Sequence, residues 1–226
     1  MLNKSIHIYK NNTIIIIPAY NEENTITSLV KSVKKFGIVV VVNDGSKDST
    51  YKNAKSAGAI VINTKHEGYD KALIKGFVKA KELSIKHKNL GEFVVITMDA
   101  DGQHNPNDIK YFSIPVLNEN IDMVLGYRNK FPRFSELVMN YFYKKIFKVS
   151  DILCGMKSYK LSLINNDDIN NLKFSIGTGI ALKFFCNKYK WSFHKIDIEN
   201  RKDANSRFGT IKGNVMILTA LFISFI

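Results

Sequence analysis

Three runs of apolar, mostly β-branched residues constrain the fold of this chain more than any other feature. They are Ile14–Ile17, Val39–Val42 and Phe93–Ile96, and each is followed by a polar loop and then by a segment of helical character. Strands as apolar as these must be covered on both faces, and helices that connect parallel strands provide such cover. The pattern therefore predicts an α/β fold in which a mostly parallel sheet is flanked by helices.

The boundaries of the elements follow from periodicity and from typical helix-boundary residues. We expect Asn21 or Glu22 to open the first helix, Asp48 and Ser49 to cap the second, and Pro106 to lie in the first turn of the fourth. Beyond residue 128 the periodicity weakens, which indicates a mixed region. The predicted strands lie near residues 13–18, 38–43, 59–62, 93–98, 122–125, 156–160 and 193–199. The predicted helices lie near residues 22–36, 48–57, 69–88, 106–119, 134–148 and 178–189.

Length and composition fit one domain. The chain has 226 residues, of which 45% are hydrophobic, and this is enough for a full core around one sheet. We assign the domain to residues 1–212, with a first half up to about residue 128 and a second half over 129–212. Cys154 and Cys186 do not suggest a disulfide framework, and the sequence opens without a signal peptide, so we expect a reduced, cytoplasmic protein.

The chain is strongly basic. Its 33 Lys and Arg against 20 Asp and Glu give a net charge of +13, which indicates anionic partners such as nucleic acid, nucleotides or an anionic membrane surface. Frequent Lys, Asn and Ile can equally reflect an AT-rich genome, so charge alone does not choose among these partners. We expect no nucleic-acid partner, because the sequence has no such binding motif and its acidic strand ends would repel a phosphate backbone.

Two carboxylates directly after the third apolar run carry the clearest chemical signal. If this run is a buried strand, Asp99 and Asp101 lie on one side of its carboxyl end, where ligands bind in open α/β sheets. Hard oxygen ligands hold Mg²⁺ or Mn²⁺, and such an ion neutralises a diphosphate leaving group. We therefore predict a metal site at Asp101, with Asp99 or Gln103 contributing through water. An acidic turn that caps the next helix is the simpler alternative.

Related motifs follow the other predicted strands. They are Pro18-Ala-Tyr20-Asn-Glu22, Asn43-Asp44-Gly-Ser-x-Asp48-x-Thr50, Met98-Asp-Ala-Asp101-Gly-Gln103-His and Gly126-Tyr-Arg128. Together they resemble the family 2 glycosyltransferases of the GT-A fold, in particular the polyprenyl-phosphate (dolichol-phosphate) sugar synthases. The resemblance is clear over about residues 13–130 and weaker to about residue 212. It implies a Rossmann-like GT-A sheet, a UDP- or GDP-sugar donor and a divalent metal ion.

The resemblance also implies roles for residues on the donor side. Pro18 and Tyr20 would form the wall on which a uracil or guanine base lies, and Glu22 and Asp44 would accept hydrogen bonds from ribose hydroxyls or base N–H groups. Asp99 would serve the nucleotide as well as the metal. As structural alternatives, Pro18 could end a strand and Glu22 could lie in a first helical turn.

The segment Lys65–Gly76 resembles the glycine-containing loop that precedes a helix in this family. Tyr69 and Asp70 stand where many relatives have a glycine or a lysine, so the backbone is less permissive here. Lys71 is a candidate contact for the diphosphate, because a cation at this place could reach it.

The acceptor side is predicted from Asp151–Tyr159, which resembles the acceptor loop Asp-x-x-Ser-Gly-Phe-Arg of the family. Lys157 replaces the arginine and keeps its charge without its bidentate fork. The glutamate that many relatives carry in the next helix is missing, and Gly177–Leu182 is the nearest match. A sugar hydroxyl would need such a base, whereas a lipid phosphate is already ionised. The sequence therefore favours a polyprenyl phosphate acceptor, with Asp101 and Asp151 as fallback bases.

Further cations could bind phosphate groups. Arg128 and Arg133, together with Lys157, are expected to contact the acceptor phosphate. The segment from residue 201 to 209 resembles the family pattern Arg-x-x-Gly-x-Ser-Lys. Within it Arg201, Ser206 and Arg207 could close over the donor diphosphate or the lipid phosphate.

Two segments suggest membrane contact. Residues 128–148 contain six Lys or Arg against one acid, interleaved with aromatic residues, which suits an anionic membrane surface or, more simply, an amphipathic helix with a solvated basic face. For residues 213–226 we predict an apolar helix. Three interpretations of it remain open: a core helix, an interfacial anchor or the remnant of a transmembrane segment.

These expectations combine into a metal-dependent, inverting transfer of a sugar to polyprenyl phosphate at the cytoplasmic face of a membrane. One alternative keeps the donor chemistry and uses a saccharide hydroxyl as acceptor. A second alternative is a non-catalytic basic binding or scaffold protein. The sequence leaves the sugar, the base and the oligomeric state open.

Overall fold

The computed structural model of the protein describes residues 10–87, 90–129, 134–170 and 176–197. In chain order the strands of this part of the chain are β1 (Thr13–Ala19), β2 (Ile38–Asn43), β3 (Ile60–Asn63), β4 (Val94–Thr97), β5 (Met123–Tyr127), β6 (Lys157–Lys160) and β7 (Trp191–Lys195). They form one seven-stranded sheet, and their order across it is β3-β2-β1-β4-β6-β5-β7.

Six of these strands run in the same direction, and β6 runs against them. β1 pairs in parallel with β2 and β4, and β2 pairs in parallel with β3. β6 is antiparallel to both of its neighbours, β4 and β5, while β5 and β7 are parallel. The prediction of a mostly parallel sheet with a mixed second half is therefore confirmed.

Helices cover both faces of this sheet. Because successive side chains of a strand point to opposite faces, Ile14 and Ile16 of β1 lie in one core layer, and Ile15 and Ile17 lie in the other. The described helices are α1 (Ile26–Val33), α2 (Thr50–Ser56), α3 (Tyr69–Lys86), α4 (Ile109–Asn118), α5 (Phe134–Phe147), α6 (Asn166–Asn170) and α7 (Ile176–Cys186). Side chains of α3, α5, α6 and α7 complete the first layer, and side chains of α1, α2 and α4 complete the second.

The first helix begins later than predicted. α1 starts at Ile26, because the backbone N–H groups of Thr25 and Ile26 both donate to the carbonyl oxygen of Glu22 and close a turn ahead of the helix. Asn21, at φ 54°, lies in the left-handed region before that turn. The prediction that Asn21 or Glu22 opens the helix is therefore wrong.

The other helix starts agree better with the predictions. Asp48 Oδ1 accepts hydrogen bonds from the Thr50 backbone N–H at 3.0 Å and from Thr50 Oγ1 at 2.6 Å, so Asp48 fixes the start of α2. Ser49 is the N-cap residue, but its side chain makes no capping hydrogen bond. Pro106 begins a 3-10 turn that leads directly into α4.

Several predictions lie outside the described residues. These are the phosphate contacts Arg133, Arg201, Ser206 and Arg207, and the apolar helix at residues 213–226. The division of the domain near residue 128 stays a prediction. Within the described ranges, no helix combines the length and the apolarity needed to cross a membrane.

Candidate active site at the carboxyl edge of the sheet

Charged side chains meet at the edge where the parallel strands end. Asp44 directly follows β2, Asp99 lies just beyond β4, and Arg128 directly follows β5. Because β6 runs in the opposite direction, its first residue, Lys157, starts at this same edge, paired with Thr97 of β4. Ligand sites of open α/β sheets form at such an edge.

The Asp44 carboxylate is buried and organises the loop after β3. Its Oδ1 accepts hydrogen bonds from Thr64 Oγ1 at 2.5 Å and from the Glu67 backbone N–H at 2.8 Å, and its Oδ2 accepts one from the Gly68 N–H at 2.9 Å. Burial opposes ionisation, but these hydrogen bonds outweigh it and hold the pKa of Asp44 below its ordinary value. Asp44 is therefore an anion whose two oxygens are already engaged by protein donors.

Tyr20 and His66 form an aromatic pair next to Asp44. Their ring centroids are 4.2 Å apart, and the ring planes are inclined by 30°. His66 Nδ1 lies 3.2 Å from the Asp44 carbonyl oxygen, and 60% of the His66 side chain is exposed. Pro18 is buried within β1, which continues past it to the next residue. The exposed aromatic surface at this edge is therefore provided by Tyr20 with His66.

Glu22 lies in the turn before α1 and is buried. Its Oε2 is 3.2 Å from Thr25 Oγ1, and its backbone N–H donates to Thr50 Oγ1 at 2.7 Å. Thr25 Oγ1 also donates to the carbonyl oxygen of Ala100 at 2.8 Å. The structure thus places Glu22 beside the segment that carries Asp99, and not in a first helical turn.

The Asp99 carboxylate is accessible and is held from several sides. Its side chain is 36% exposed, its Oδ1 accepts a hydrogen bond from Tyr69 Oη at 3.1 Å, and its Oδ2 is 3.6 Å from His104 Nε2. Gly155 packs so closely that a Cβ atom there would lie 2.1 Å from Asp99 Oδ2. Asp99 is therefore fixed between the start of α3 and the loop that precedes β6.

Asp101 lies in the turn that follows, and it is half-buried. Its Oδ1 accepts a hydrogen bond from the Gln103 backbone N–H at 3.1 Å, across Gly102 at φ 73°. Within the described ranges, no three His, Cys, Asp or Glu side chains gather closely enough to hold a metal ion by themselves. The carboxylates Asp99 and Asp101 fit a divalent ion whose remaining oxygen ligands come from a bound diphosphate or from water.

Arg128 belongs to a buried ion-pair network. Its Nε donates to Asp151 Oδ2 and its Nη2 to Asp151 Oδ1, each at 2.7 Å, and Nη2 also donates to Glu136 Oε2 at 3.1 Å. Burial opposes the charge of Arg128, but the hydrogen bonds and the attraction of Asp151 raise the pKa of Arg128 above its ordinary value. The Asp151 side chain is only 1% exposed. The two side chains thus engage each other, while phosphate binding by Arg128 and the fallback-base role of Asp151 stay predictions.

Lys157 is also buried, and its Nζ donates to the carbonyl oxygen of Cys154. Burial lowers the pKa of Lys157, while the nearby negative charges of Asp151 and Asp99 act in the opposite direction. The Lys157 amine therefore lies behind the acidic segment Asp99–Asp101 and is not presented to solvent. Lys71, in contrast, is exposed in the first turn of α3.

Sequence reasoning missed three residues that shape this edge. His66 and Tyr69 lie in the loop and helix start after β3, and the departure of Tyr69 from the family pattern was a usable signal. Glu136 is the single acid between residues 128 and 148, and an isolated acid in a basic segment is typical of a buried ion pair. Both cysteines, Cys154 and Cys186, are free thiols, as predicted.

The topology places the protein in the class of GT-A-like α/β proteins. The solved structure of glucosyl-3-phosphoglycerate synthase from Mycobacterium tuberculosis, in complex with Mn²⁺, uridine diphosphate and phosphoglyceric acid, matches with a TM-score of 0.73. The match covers 98% of this chain and 80% of that chain at 18% sequence identity, so the likeness concerns the fold. The family model described as glycosyl transferase family 2 matches residues 14–185. The chain belongs to this family.

Relatives with assigned activities are similar over part of the chain. UDP-N-acetylglucosamine–dolichyl-phosphate N-acetylglucosaminyltransferase from Methanococcus voltae is 37% identical over 53% of this chain and 53% of its own length. Dodecaprenyl-phosphate galacturonate synthase from Rhizobium johnstonii is 25% identical over 66% of this chain and 48% of its own length. The chain thus spans about half the length of these two relatives.

Proposed function

We propose that the protein transfers a hexose or N-acetylhexosamine from a UDP- or GDP-sugar to a polyprenyl phosphate, by in-line displacement with inversion at the anomeric carbon. The observation that carries the proposal is the position of Asp44 directly after β2 and of Asp99 and Asp101 after β4, at the carboxyl edge of the parallel strands of a family 2 fold. The names of the M. voltae and R. johnstonii relatives, which refer to dolichyl phosphate and dodecaprenyl phosphate, support the lipid acceptor.

On the donor side, the aromatic pair of Tyr20 and His66 offers a stacking surface for the base, and Pro18 is buried in β1 two residues before Tyr20. Asp44 and Glu22 accept hydrogen bonds from base N–H groups or ribose hydroxyls. Lys71, exposed at the start of α3, is the proposed cation for the donor diphosphate. These contacts hold the nucleotide while the sugar faces the acceptor.

Asp101 and Asp99 are the residues that would hold Mg²⁺ or Mn²⁺, with Gln103 reaching the ion through water. When bound, the ion neutralises charge that develops on the departing diphosphate. The M. tuberculosis neighbour has been solved with Mn²⁺ and with Mg²⁺ in the presence of uridine diphosphate, which supports this choice of metals.

We base the proposed acceptor on the two described places where the sequence analysis looked for a general base, α7 and Asp151. Helix α7 contains no Asp or Glu, and Asp151 is paired with Arg128. A sugar hydroxyl would need a general base for efficient attack at neutral pH, whereas the phosphate of a lipid is ionised and nucleophilic without one. Because Arg128 and Lys157 are engaged within the protein, the proposal assigns contact with the lipid phosphate first to the cations predicted from the sequence alone. These are Arg133, Arg201 and Arg207, with Ser206.

The exposed aromatic side chains of α5 support contact of this helix with a membrane surface. Phe134 is 74% and Tyr141 is 64% exposed, while Met139 and Tyr143 on the opposite side are buried in the core. Aromatic side chains beside lysines suit the interface of an anionic membrane, so we propose that α5 contacts the cytoplasmic face of the membrane. Leu137, Phe142, Lys144, Lys145 and Ile146 of α5 are exposed as well, and so is Lys148 directly after the helix.

A panel of radiolabelled UDP- and GDP-sugars tests the proposal. Each donor is incubated with the protein, with Mg²⁺ or Mn²⁺, and with vesicles that contain a polyprenyl phosphate. We expect label from one donor to enter the organic phase in a metal-dependent way. Label that reaches only water-soluble saccharides would favour a hydroxyl acceptor, and no transfer together with no nucleotide binding would favour a scaffold protein.

A further inference from the structure

Tyr69 contacts the acidic segment from a different part of the chain. Its Oη donates to Asp99 Oδ1 at 3.1 Å, although the two residues are 30 positions apart in the sequence. The ring is half-buried and packs against the core layer beneath the sheet edge. The contacts of the ring with the core thus set the position from which the phenol donates to Asp99.

The loop that leads into Tyr69 is anchored as well. The Asp44 carboxylate accepts hydrogen bonds from Thr64, Glu67 and Gly68, which all lie in this loop. Gly68 has φ 97°, a left-handed conformation that favours glycine and turns the chain into α3 at Tyr69. The loop thus connects the base side of the site, at Asp44, with Asp99.

Asp99 has little freedom on its other side. A Cβ atom at Gly155 would lie 2.1 Å from Asp99 Oδ2, and Thr97 Oγ1 holds that loop by donating to the Gly155 carbonyl oxygen at 2.8 Å. The carboxylate therefore lies between a hydrogen-bond donor and a backbone wall. Groups that orient a metal-binding carboxylate in this way tune the affinity of the metal.

We propose that Tyr69 is a positioning residue for Asp99. Its hydroxyl holds the carboxylate in the orientation that receives the metal ion and diphosphate of the donor. The inference rests on the proposed function, because it takes Asp99 to face that diphosphate. Through the loop that Asp44 anchors, Tyr69 would also couple the two ends of the donor site. Binding of the nucleotide base near Asp44 would then favour binding of the metal ion at Asp99.

Calorimetric titration of Mn²⁺ into protein saturated with uridine diphosphate tests this role. Tyr69→Phe keeps the ring and removes the hydroxyl, and we expect Mn²⁺ to bind about 10-fold more weakly, the lower end of the effect typical for such supporting groups. Binding of uridine diphosphate in EDTA should stay unchanged. Tyr51→Phe, at an exposed tyrosine of α2, is the matched control and should leave both affinities unchanged.

A double-mutant cycle shows whether Tyr69 acts through Asp99. In an Asp99→Asn background, removal of the Tyr69 hydroxyl should change the Mn²⁺ affinity by less than about twofold. An equal loss in both backgrounds, or an unchanged affinity in Tyr69→Phe alone, would overturn the proposal. A loss of uridine diphosphate affinity that is the same with and without Mn²⁺ would also overturn it.

The outcome is separable from that of the proposed function. If the unsubstituted protein binds uridine diphosphate equally well with and without Mn²⁺, the metal-dependent function and the role of Tyr69 both fail. If that protein shows metal-dependent binding and Tyr69→Phe behaves identically, only the role of Tyr69 fails. Thermal unfolding of each variant, compared with the unsubstituted protein, verifies that the fold is retained.

Discussion

At the scale of single residues, the buried carboxylates Asp44 and Asp151 are stabilised by different partners. Asp44 accepts hydrogen bonds from a hydroxyl and two backbone N–H groups, whereas Asp151 pairs with the guanidinium of Arg128. Removing Asp151 would take away the bidentate partner of a buried cation, which is a costly change. Removing the Asp44 carboxylate would instead leave neutral donors of the loop without their acceptor.

The first prediction concerns Asp101. Asp101→Asn should lower turnover about 10²–10³-fold, because it removes one negative oxygen from the proposed site of the ion that stabilises the diphosphate. The fold should be retained, since Asp101 is half-buried in a turn. Turnover at saturating donor is measured, and Asp108→Asn, outside the acidic segment, serves as the control. Full turnover in EDTA would exclude this mechanism.

The second prediction concerns the pH dependence of stability through Asp44. Its pKa in the folded protein is below the ordinary value of 3.8, so it contributes stability that is fully present above that value and is lost as pH falls through the lower, folded-state pKa. An asparagine side chain in its place could not accept from Glu67 and Gly68 at once, since its amide nitrogen would face one of these donors. Asp44→Asn should therefore be less stable at pH 7 and should lose less of its remaining stability in acid. Urea unfolding between pH 7 and pH 2 measures this, and a parallel loss in both proteins would contradict it.

At the scale of elements, the loop before β6 depends on glycine at 155. Gly155→Ala should displace Asp99, because the new Cβ atom would lie 2.1 Å from Asp99 Oδ2. We expect loss of metal-dependent nucleotide binding together with turnover. Gly177→Ala in α7 is the matched control, since a Cβ atom there meets nothing closer than 3.9 Å, and it should retain binding. Normal Mn²⁺-dependent binding in Gly155→Ala would show that the close packing has no functional consequence.

Helix α5 makes a separate prediction at this scale. Changing Lys144, Lys145 and Lys148 to Gln should weaken binding to anionic vesicles about 100-fold at low salt, because each lysine near such a surface contributes ~1 kcal/mol. A variant with Lys31, Lys52 and Lys55 changed to Gln loses the same charge from α1 and α2. Vesicle flotation compares the two. Equal weakening in both variants would show that the net charge of the protein determines vesicle binding, and that α5 is not a specific contact surface.

At the scale of the whole molecule, the sheet and its acidic edge were predictable, because apolar runs and strand-end acids are local patterns. The α1 start was mispredicted because Thr25 and Ile26 bond to Glu22 in a turn, a choice that neighbouring loops decide. The network of Arg128 with Asp151 and Glu136 was not predictable, since it joins residues 23 and 8 positions apart whose contact depends on how β6 enters the sheet. A sequence motif therefore does not show which basic side chains are paired inside the protein, as Arg128 is, and which are exposed, as Lys71 is.

At this scale, the prediction concerns the pH dependence of the proposed transfer to the acceptor. With a lipid phosphate as nucleophile, the acidic limb of the rate against pH should follow ionisation of that phosphate and not a protein carboxylate. A polyprenyl phosphonate, whose acidity differs, should therefore shift this limb relative to the phosphate, while the acidic limb for a given acceptor should stay the same with different sugar donors. An identical limb with both acceptors would point to a protein base.

The reversed strand β6 makes the segment between β5 and β6 an exchangeable module. β5 ends and β6 begins at the same edge as neighbouring strands, and the Gly126 N–H donates to the Met156 carbonyl oxygen at 3.0 Å, so the segment is closed at its base. Replacing the residues between these two, apart from Gly155, which packs against Asp99, would alter the helix and the ion-pair network without breaking a parallel crossover. If this half binds the acceptor, as we propose, chimeras built at this junction exchange acceptor preference while Asp99 and the nucleotide half keep their surroundings.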